Sequence, residues 1–225
     1  MGNLSYKNKE QEFNAVLLKG KYLFHVHTNY ADGSSTVSDY FEYASRHQYE
    51  SIIFTEHVRQ DISYDFDNFL HDIKTAGSQF PKIKSIIGAE AKILPDGDVD
   101  VPSKILSKIR VLCFACHSFP KDIDLYESSL KNAFADKRWK KFIRIWVHPG
   151  RFLKRNGCLE DNTGMLADLI DLAVRENIFI EKNLRDDLPP ASLLENIPDE
   201  RIVTGYDAHS AMKLPKGLPC DRDDR

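Results

Sequence analysis

The chain lacks several features that mark special classes of protein. It has no apolar run of about 18 residues, the length that a membrane-spanning helix requires. Its first residues contain no apolar core of a secretory signal peptide, so we expect none. There is no excess of basic residues either: 31 Lys and Arg against 34 Asp and Glu give a net charge of -3. These absences argue against a membrane protein and against a general attraction to polyanions.

Cysteine is also scarce, with 4 residues in 225. Without a secretory signal, these residues are expected to be reduced thiols of a cytoplasmic protein. Cys113 and Cys116 form a C-x-x-C pair, but the pair lies inside an apolar run that predicts a strand. Positions i and i+3 of a strand face opposite sides, so we expect buried thiols here rather than a zinc or redox site.

The length and the order of apolar segments predict one domain over residues 1–225. Pro and Gly are scattered, so no linker is evident, and α/β barrels of about 200–250 residues usually form a single domain. Seven short apolar runs are rich in Ile, Val and Phe and lack strict alternation, which is typical of strands buried on both faces. The predicted strands are 22–27, 51–56, 84–90, 109–117, 142–148, 178–183 and 201–207.

Helical patterns alternate with these runs. Between residues 163 and 176, apolar side chains recur at the 3, 4 and 7 spacing of a core-facing stripe, and Asn162 or Thr163 is able to cap that helix. The alternation predicts an α/β fold with a parallel sheet, and seven or eight such units close most easily as a barrel. Functional groups of a barrel lie where strands run out into βα loops. The predicted helices are 36–47, 66–80, 102–107, 124–138, 163–176 and 191–196.

Histidines concentrate at the carboxyl ends of the predicted strands. In a barrel these ends meet on one face, where imidazoles and carboxylates would crowd together. Buried polar groups without partners cost about 1–3 kcal/mol each. Divalent metals remove that cost because neutral imidazole and carboxylate are their ligands, so the pattern predicts a metal centre. The six histidines are His25, His27, His57, His117, His148 and His209. His47 and His71 fall within predicted helices and are expected to be solvated or to cap a helix.

Carboxylates complete the predicted metal site. Asp32 lies in the loop after the first strand, and Asp207 precedes His209 by two positions. Burying Glu90 among histidines would be costly without a cation, and its two oxygens make it a natural bridge between two metals. The acidic stretch at 96–100 resembles a calcium loop, but Ser107 stands at loop position 12 where Glu is needed. We expect a solvated loop there.

The order of these motifs resembles the polymerase and histidinol phosphatase (PHP) family. The chain carries H-x-H-T at 25–28, D-G at 32–33, T-E-H at 55–57, G-x-E at 88–90, C-H-S at 116–118, H-P-G-R at 148–151 and D-A-H-S at 207–210. The stretch G-A-E-A-K-I-L-P-D-G at 88–97 is similar to the PHP domain of family-X DNA polymerases. No polymerase domain is evident in the sequence, so the resemblance implies a free-standing PHP domain.

The resemblance implies a distorted (β/α)7, TIM-like barrel that holds three divalent metal ions, either Zn, Mn or Fe. It also implies that Glu90 bridges the first and second metals. The implied ligands are His25, His27, Glu90 and Asp207 for the first metal, Glu90, His117 and His148 for the second, and Asp32, His57 and His209 for the third.

This chain departs from the family pattern at three positions. Asp32 stands where many relatives have His, although Asp is also common there. Glu56 replaces the usual Asp before His57, and neither residue type is usually a ligand at that position. Lys182 is unusual between Glu181 and Asn183, two positions expected to face the site, so Lys182 is expected to point outward.

The implied metal centre predicts hydrolysis of a phosphomonoester. Two metals that share Glu90 would also share a water and lower its pKa from 15.7 toward about 7. The resulting metal-bridging hydroxide would attack phosphorus in line, while the third metal neutralises charge in the transition state. The residues assigned to catalysis are Glu90, His25, His27 and Asp207, and those assigned to the substrate phosphate are Arg151 and Arg185.

Two other functions remain open. Amidohydrolase barrels also begin with H-x-H and would hydrolyse amides or lactones, although they often carry a bridging Lys where Glu90 stands here. A non-catalytic metal-binding module is the second alternative. The acidic net charge favours a small phosphorylated substrate, and a nucleic-acid end stays open as a partner. No membrane partner is expected, and the sequence gives no oligomeric state.

Overall fold

A computed structural model describes residues 2–216, which form eight strands and seven α-helices. The strands are β1 (Tyr22–Val26), β2 (Ser51–Val58), β3 (Lys84–Ile93), β4 (Val99–Asp100), β5 (Val111–Ala115), β6 (Ile143–Trp146), β7 (Ile178–Asn183) and β8 (Ile202–Gly205). The helices are α1 (Gly2–Leu18), α2 (Val37–Arg46), α3 (Phe66–Gln79), α4 (Ser103–Leu106), α5 (Ile123–Ala135), α6 (Arg151–Arg155) and α7 (Thr163–Arg175). Among the described residues, none of the helices combines the length and apolarity needed to cross a bilayer.

Seven parallel strands form a nearly closed barrel in the order β1-β2-β3-β5-β6-β7-β8, and β4 pairs antiparallel with β3. Backbone hydrogen bonds just beyond β8 bridge the remaining gap to β1. The amide of Tyr206 donates to the carbonyl of Phe24 at 3.1 Å, and the amide of Ala208 donates to the carbonyl of His25 at 2.8 Å. The predicted α/β fold, a distorted (β/α)7, TIM-like barrel, is therefore confirmed.

Side-chain caps mark the start of three helices, namely α2, α3 and α5. Thr36 and Asp39 form a reciprocal capping box at the start of α2. The expected cap at Asn162 or Thr163 is wrong, because no side chain caps the amides of α7. A 3-10 turn, Glu160–Asn162, runs directly into that helix, and Asn162 instead donates back to the carbonyl of Cys158. The core-facing stripe of α7 is buried as predicted.

Two connections differ from the sequence prediction. The helix expected at 191–196 is only a short 3-10 turn, Ala191–Leu193, so no α-helix joins β7 to β8. Pro190 and Pro198 flank this segment, and proline lacks the amide that a longer helix would need. The loop expected to be solvated at 96–100 contains β4, because the buried Val99 pairs with β3.

Two separate apolar clusters fill the molecule. The larger cluster lies between the outer faces of the strands and the helices. The second cluster takes alternate residues from the parallel strands, such as Ile143 and Ile145 of β6, and therefore fills the barrel interior. This interior cluster also contains three residues of α1, namely Phe13, Val16 and Leu17.

Helix α1, which the sequence analysis did not predict, closes the amino-terminal end of the barrel. The ring of Phe13 packs edge-on against that of Phe179 near the start of β7, with centroids 5.2 Å apart. Arg110 and Arg201, which precede β5 and β8, form ion pairs with Glu12 and Glu10 at 2.8 and 2.7 Å. The helix therefore plugs the face opposite the strand ends that carry the histidines.

Replacing Phe13 with Ala should destabilise the fold by about 3–5 kcal/mol, because it removes a fully buried ring from the barrel interior. Urea denaturation followed by circular dichroism measures this change. Leu18→Ala is the matched control on the same helix, because Leu18 is 66 % exposed and its truncation should cost less than about 0.5 kcal/mol. Equal stability of the two variants would contradict the interior packing of α1.

Candidate metal centre

Nine side chains of His, Asp and Glu meet at the carboxyl ends of the strands. His25 and His27 come from the end of β1, His57 from β2, and Glu90 from β3. The remaining donors follow β5, β6 and β8 or lie in the loop after β1. Within the described chain their ligand atoms fall into four overlapping groups, each within 4.8 Å: His25, His27 and Asp207; His25, Glu90 and His148; His57, Glu90 and His117; and His27, Asp32, His57 and His209.

Several buried atoms of this cluster have no hydrogen-bond partner. They include Nε2 of His25, Nε2 of His27 and Oε2 of Glu90. Both Nε2 atoms lie 3.5 Å from Oε2 of Glu90, and Nε2 of His27 lies 3.3 Å from Oδ1 of Asp207. Ligands about 2.0–2.2 Å from one tetrahedral ion are about 3.3–3.6 Å apart. The unpartnered atoms are therefore spaced as ligands of a shared cation, and the residues present fit a divalent metal.

Glu90 directs its two oxygens at different histidines. Oε1 lies 2.8 Å from Nε2 of His148 and 3.2 Å from Nε2 of His117. Oε2 faces His25 and His27 and also lies 2.7 Å from Nδ1 of His57, although the angles there do not make a hydrogen bond. A single carboxylate thus joins two sets of nitrogen donors, which is the arrangement that a bridging ligand requires.

The cluster has a buried floor and an exposed rim. The side chains of His25, His27 and Glu90 are completely buried. At the rim, His209 is 26 % exposed and Asp32 is 56 % exposed. Oδ2 of Asp32 lies 3.4 Å from Nε2 of both His57 and His209, so this third group of donors is the most exposed of the four. A ligand can reach the cluster from that side.

Backbone strain concentrates in the same place. Three of the donors have positive φ angles, 62° for His25, 37° for His148 and 45° for Asp207. At His25 the pairing of β1 with β2 shifts register, so Phe24 and His25 both point into the barrel. Such conformations cost on the order of 1–3 kcal/mol each and persist only where the surroundings enforce them.

Comparison with known proteins identifies the family. The sequence profile described as "PHP domain" matches residues 24–183 of this chain. The chain belongs to the PHP domain family. The match includes β1 to β7 and ends before Asp207 and His209, which join the cluster from beyond β8.

Individual relatives of this PHP domain are distant. The chain is 25% identical over 202 residues to the protein named "DNA polymerase/3'-5' exonuclease PolX" of Bacillus subtilis (strain 168), which covers 84% of this chain. The chain spans only 34% of the length of that relative. A crystal structure of a D-hydantoinase is 11% identical, covers 89% of this chain and 63% of its own, and has a TM-score of 0.40. At that TM-score the likeness carries no argument.

A buried carboxylate, that of Glu181, braces His25 of β1 in this PHP domain. Oε1 of Glu181 lies 2.6 Å from Nδ1 of His25, and Oε2 accepts from the amide of His148. Gly205 on the neighbouring strand must lack a side chain, because a Cβ there would collide with Glu181. Carboxylates that bind the second ring nitrogen of a metal ligand fix its tautomer and orientation. Glu181 is placed to do this for His25.

Glu56 braces the loop that follows β1. Its Oε2 accepts from the amide of Thr28 at 2.8 Å and also from the Thr28 hydroxyl. Its Oε1 lies 3.7 Å from Nδ1 of His27, so its carboxylate faces the ring without a hydrogen bond. The departure from the family's usual Asp therefore still leaves a carboxylate beside His27.

The two arginines expected to bind phosphate lie in different surroundings. Arg151 is buried, and its Nη2 donates to Oδ2 of Asp207 at 2.5 Å while its Nε donates to Asp186 at the same distance. Arg185 is 50% exposed, with Nη1 3.0 Å from Nδ1 of His209 and 3.3 Å from Oδ2 of Asp207. Of these two arginines, Arg185 is the one that presents its guanidinium to the open rim.

Burial and neighbouring charge act in opposite directions on the pKa values in this site. Burial alone would raise the pKa of Glu90 and Asp207, but the neighbouring histidines, and Arg151 beside Asp207, hold both well below their usual range. Burial lowers the pKa of His27, yet Asp207, Glu56 and Glu90 together raise it to about 9. Burial dominates at His148, where it lowers the pKa to about 4. The carboxylates of the floor therefore stay ionised and stabilise positive charge beside them, either on the imidazoles or on a bound cation.

The part of the site that sequence reasoning missed is its supporting layer. Glu181 was expected to face the site, and it does, while Lys182 points to solvent as expected. The contact of Glu181 with His25 was not foreseen, and neither was the contact of Asp186 with Arg151. The lone signal was the buried position of an acidic residue within the apolar run of β7. Cys113 is a free buried thiol as expected, and Cys116 is a free, partly buried thiol.

Replacing Glu181 with Gln should weaken metal binding by about 10–100-fold, because it removes the charge that orients His25. Metal affinity is measured by calorimetric titration of the metal-depleted protein with Zn²⁺ or Mn²⁺. Lys182→Gln is the matched control, since this neighbouring side chain is exposed and should leave the affinity unchanged. Wild-type affinity in a folded Glu181→Gln protein would refute this assignment.

Proposed function

We propose that this PHP domain is a metal-dependent phosphoesterase that hydrolyses a phosphomonoester. The observation that carries the proposal is the position of Glu90, whose two oxygens face separate histidine groups at the centre of the cluster. Divalent metals bound there would supply an activated water at neutral pH and would neutralise charge on the phosphate. Membership of the PHP domain family supports a metal-dependent hydrolase in general.

Each donor group would have a distinct task. Glu90 would bridge two metals of a centre that would hold three. Its burial keeps solvent from competing for its two oxygens. The first metal would also take His25, His27 and Asp207. The ligands proposed for the other two are His117 and His148 for the second metal, and Asp32, His57 and His209 for the third. The third group lies at the exposed rim, where a substrate phosphate can reach it.

The arginines would act in two ways on the substrate side. Arg185 would donate to a phosphate oxygen, since its guanidinium is half exposed beside His209. Arg151 would act through Asp207, because its guanidinium holds Oδ2 of Asp207 and leaves Oδ1 to face His25 and His27. An ion pair in this buried position fixes the carboxylate in one orientation.

A phosphodiester at a nucleic-acid end is the second candidate substrate. The observation that favours it is the relative from Bacillus subtilis, which is named as a 3'-5' exonuclease. A phosphodiester presents an electrophilic phosphorus as a phosphomonoester does, so an activated water at the proposed site would be able to attack either. The net charge of -3 favours a small substrate instead.

Replacing Glu90 with Gln should abolish metal binding and activity together, because an amide cannot bridge two cations. The loss in kcat/KM should be at least about 100-fold, which is the upper end of the effect of replacing a residue that merely supports a metal ligand. Metal content is counted by mass spectrometry, and hydrolysis of p-nitrophenyl phosphate is followed with Mn²⁺ or Zn²⁺ added. Glu42→Gln on α2 is the matched control, because Glu42 is exposed on the outer surface.

The same assay distinguishes the candidate functions. Full activity and metal content in Glu90→Gln would refute the proposal. Hydrolysis of bis-p-nitrophenyl phosphate or of an oligonucleotide end, without hydrolysis of the monoester, would favour the phosphodiester. Activity on amides or lactones alone would indicate an amidohydrolase, and full metal content with no activity on any ester would indicate a non-catalytic module.

A further inference from the structure

We infer that Arg59 is a second anion-binding residue of the site and contacts the substrate phosphate from the side opposite Arg185. This inference rests on the proposed phosphoesterase function and adds a residue that determines how the substrate is held. Arg59 directly follows β2, two positions after His57. Residues two apart share a strand face, and in the pairing of β2 with β3 His57 lies opposite Glu90. Arg59 therefore stands at the mouth of the cluster.

Two nitrogens of the Arg59 guanidinium make contacts, one with the backbone and one with a histidine ring. Its Nη1 donates to the carbonyl of Val58 at 2.6 Å and to the carbonyl of Glu90 at 3.0 Å. Its Nη2 lies 3.2 Å from Nδ1 of His117. The backbone contacts hold the planar group over the edge between β2 and β3, and Nη2 faces the donors of the proposed second metal.

Arg59 differs from the other arginines of the site in its lack of a charged partner. Arg151 pairs with Asp186 and Asp207, and Arg185 pairs with Asp207. Among the side chains of residues 8–216, none of those that contact Arg59 is a carboxylate. Its guanidinium therefore has no carboxylate bound to it, which leaves it available to an anion such as a phosphate oxygen.

The contact between Nη2 of Arg59 and Nδ1 of His117 is one that metal binding to His117 would break. A guanidinium only donates hydrogen bonds, so Nδ1 of His117 must accept in this contact. Nε2 of His117 faces Glu90 and would be the metal-binding atom. A neutral histidine bound through Nε2 carries its proton on Nδ1 and no longer accepts there. Nη2 of Arg59 would then need another acceptor, and a phosphate oxygen at the mouth supplies one.

The test compares Arg59→Gln, Arg59→Lys and the wild type, all in the metal-loaded state. Arg59→Gln should raise KM for p-nitrophenyl phosphate about 10-fold or more, with a much smaller change in kcat, because the lost contact binds the phosphate of substrate and transition state alike. The Kd of inorganic phosphate, measured by calorimetry, should rise by the same factor. Arg59→Lys should restore part of both, since it keeps the charge but not the planar fork.

Metal content serves as the readout that separates binding from a structural effect. It should equal that of the wild type in Arg59→Gln, and Arg46→Gln on the exposed end of α2 is the matched control for loss of an arginine. Unchanged phosphate affinity in Arg59→Gln, or loss of metal from it that Lys does not restore, would overturn the inference. A wild type that hydrolyses no phosphoester would refute the proposed function alone, because phosphate binding still tests Arg59.

Discussion

The fold depends, at the carboxyl ends of its strands, on the close approach of buried carboxylates and imidazoles around Glu90. Two histidine nitrogens and one carboxylate oxygen lie there without hydrogen bonds, at separations of 3.5 Å. Water is excluded from this floor, so the usual compensation for buried polar groups is missing. A divalent cation would satisfy all of these atoms at once. The other features of the site hold the donors at that spacing.

Both ends of the barrel contribute to holding these donors in place. At the amino-terminal end, α1 inserts Phe13 into the interior and excludes solvent from below. At the carboxyl-terminal end, positive φ angles turn His25, His148 and Asp207 inward. Glu181 and Arg151 then fix the orientation of His25 and Asp207. The strain of the backbone and the charge of the cluster are thus offset by packing and by a layer of buried ion pairs.

Much of this architecture is predictable from the sequence because strand ends share one face of a barrel. Histidines placed after successive apolar runs had to meet, and the structure brings together all nine residues expected from the motif order. Helix α1 was missed because its apolar residues pack against the open end of the barrel, a surface that strands from the whole sequence form together. The bulge at His25 was missed for a similar reason, since its register depends on β2 and on Ala208. The surroundings of Arg151 and Arg59 depend on side chains from distant strands, which no local pattern encodes.

The central claim is that the nine donors are compatible with one another because cations lie between them. Crystals of the protein loaded with Zn²⁺ or Mn²⁺, measured at the absorption edge of that metal, test this claim most directly. The account predicts anomalous peaks within about 2.0–2.3 Å of the donor atoms, including one between Glu90 and the pair His25 and His27. Absence of any peak in this cluster, in a protein that keeps the same side-chain positions and full stability after chelation, would contradict it.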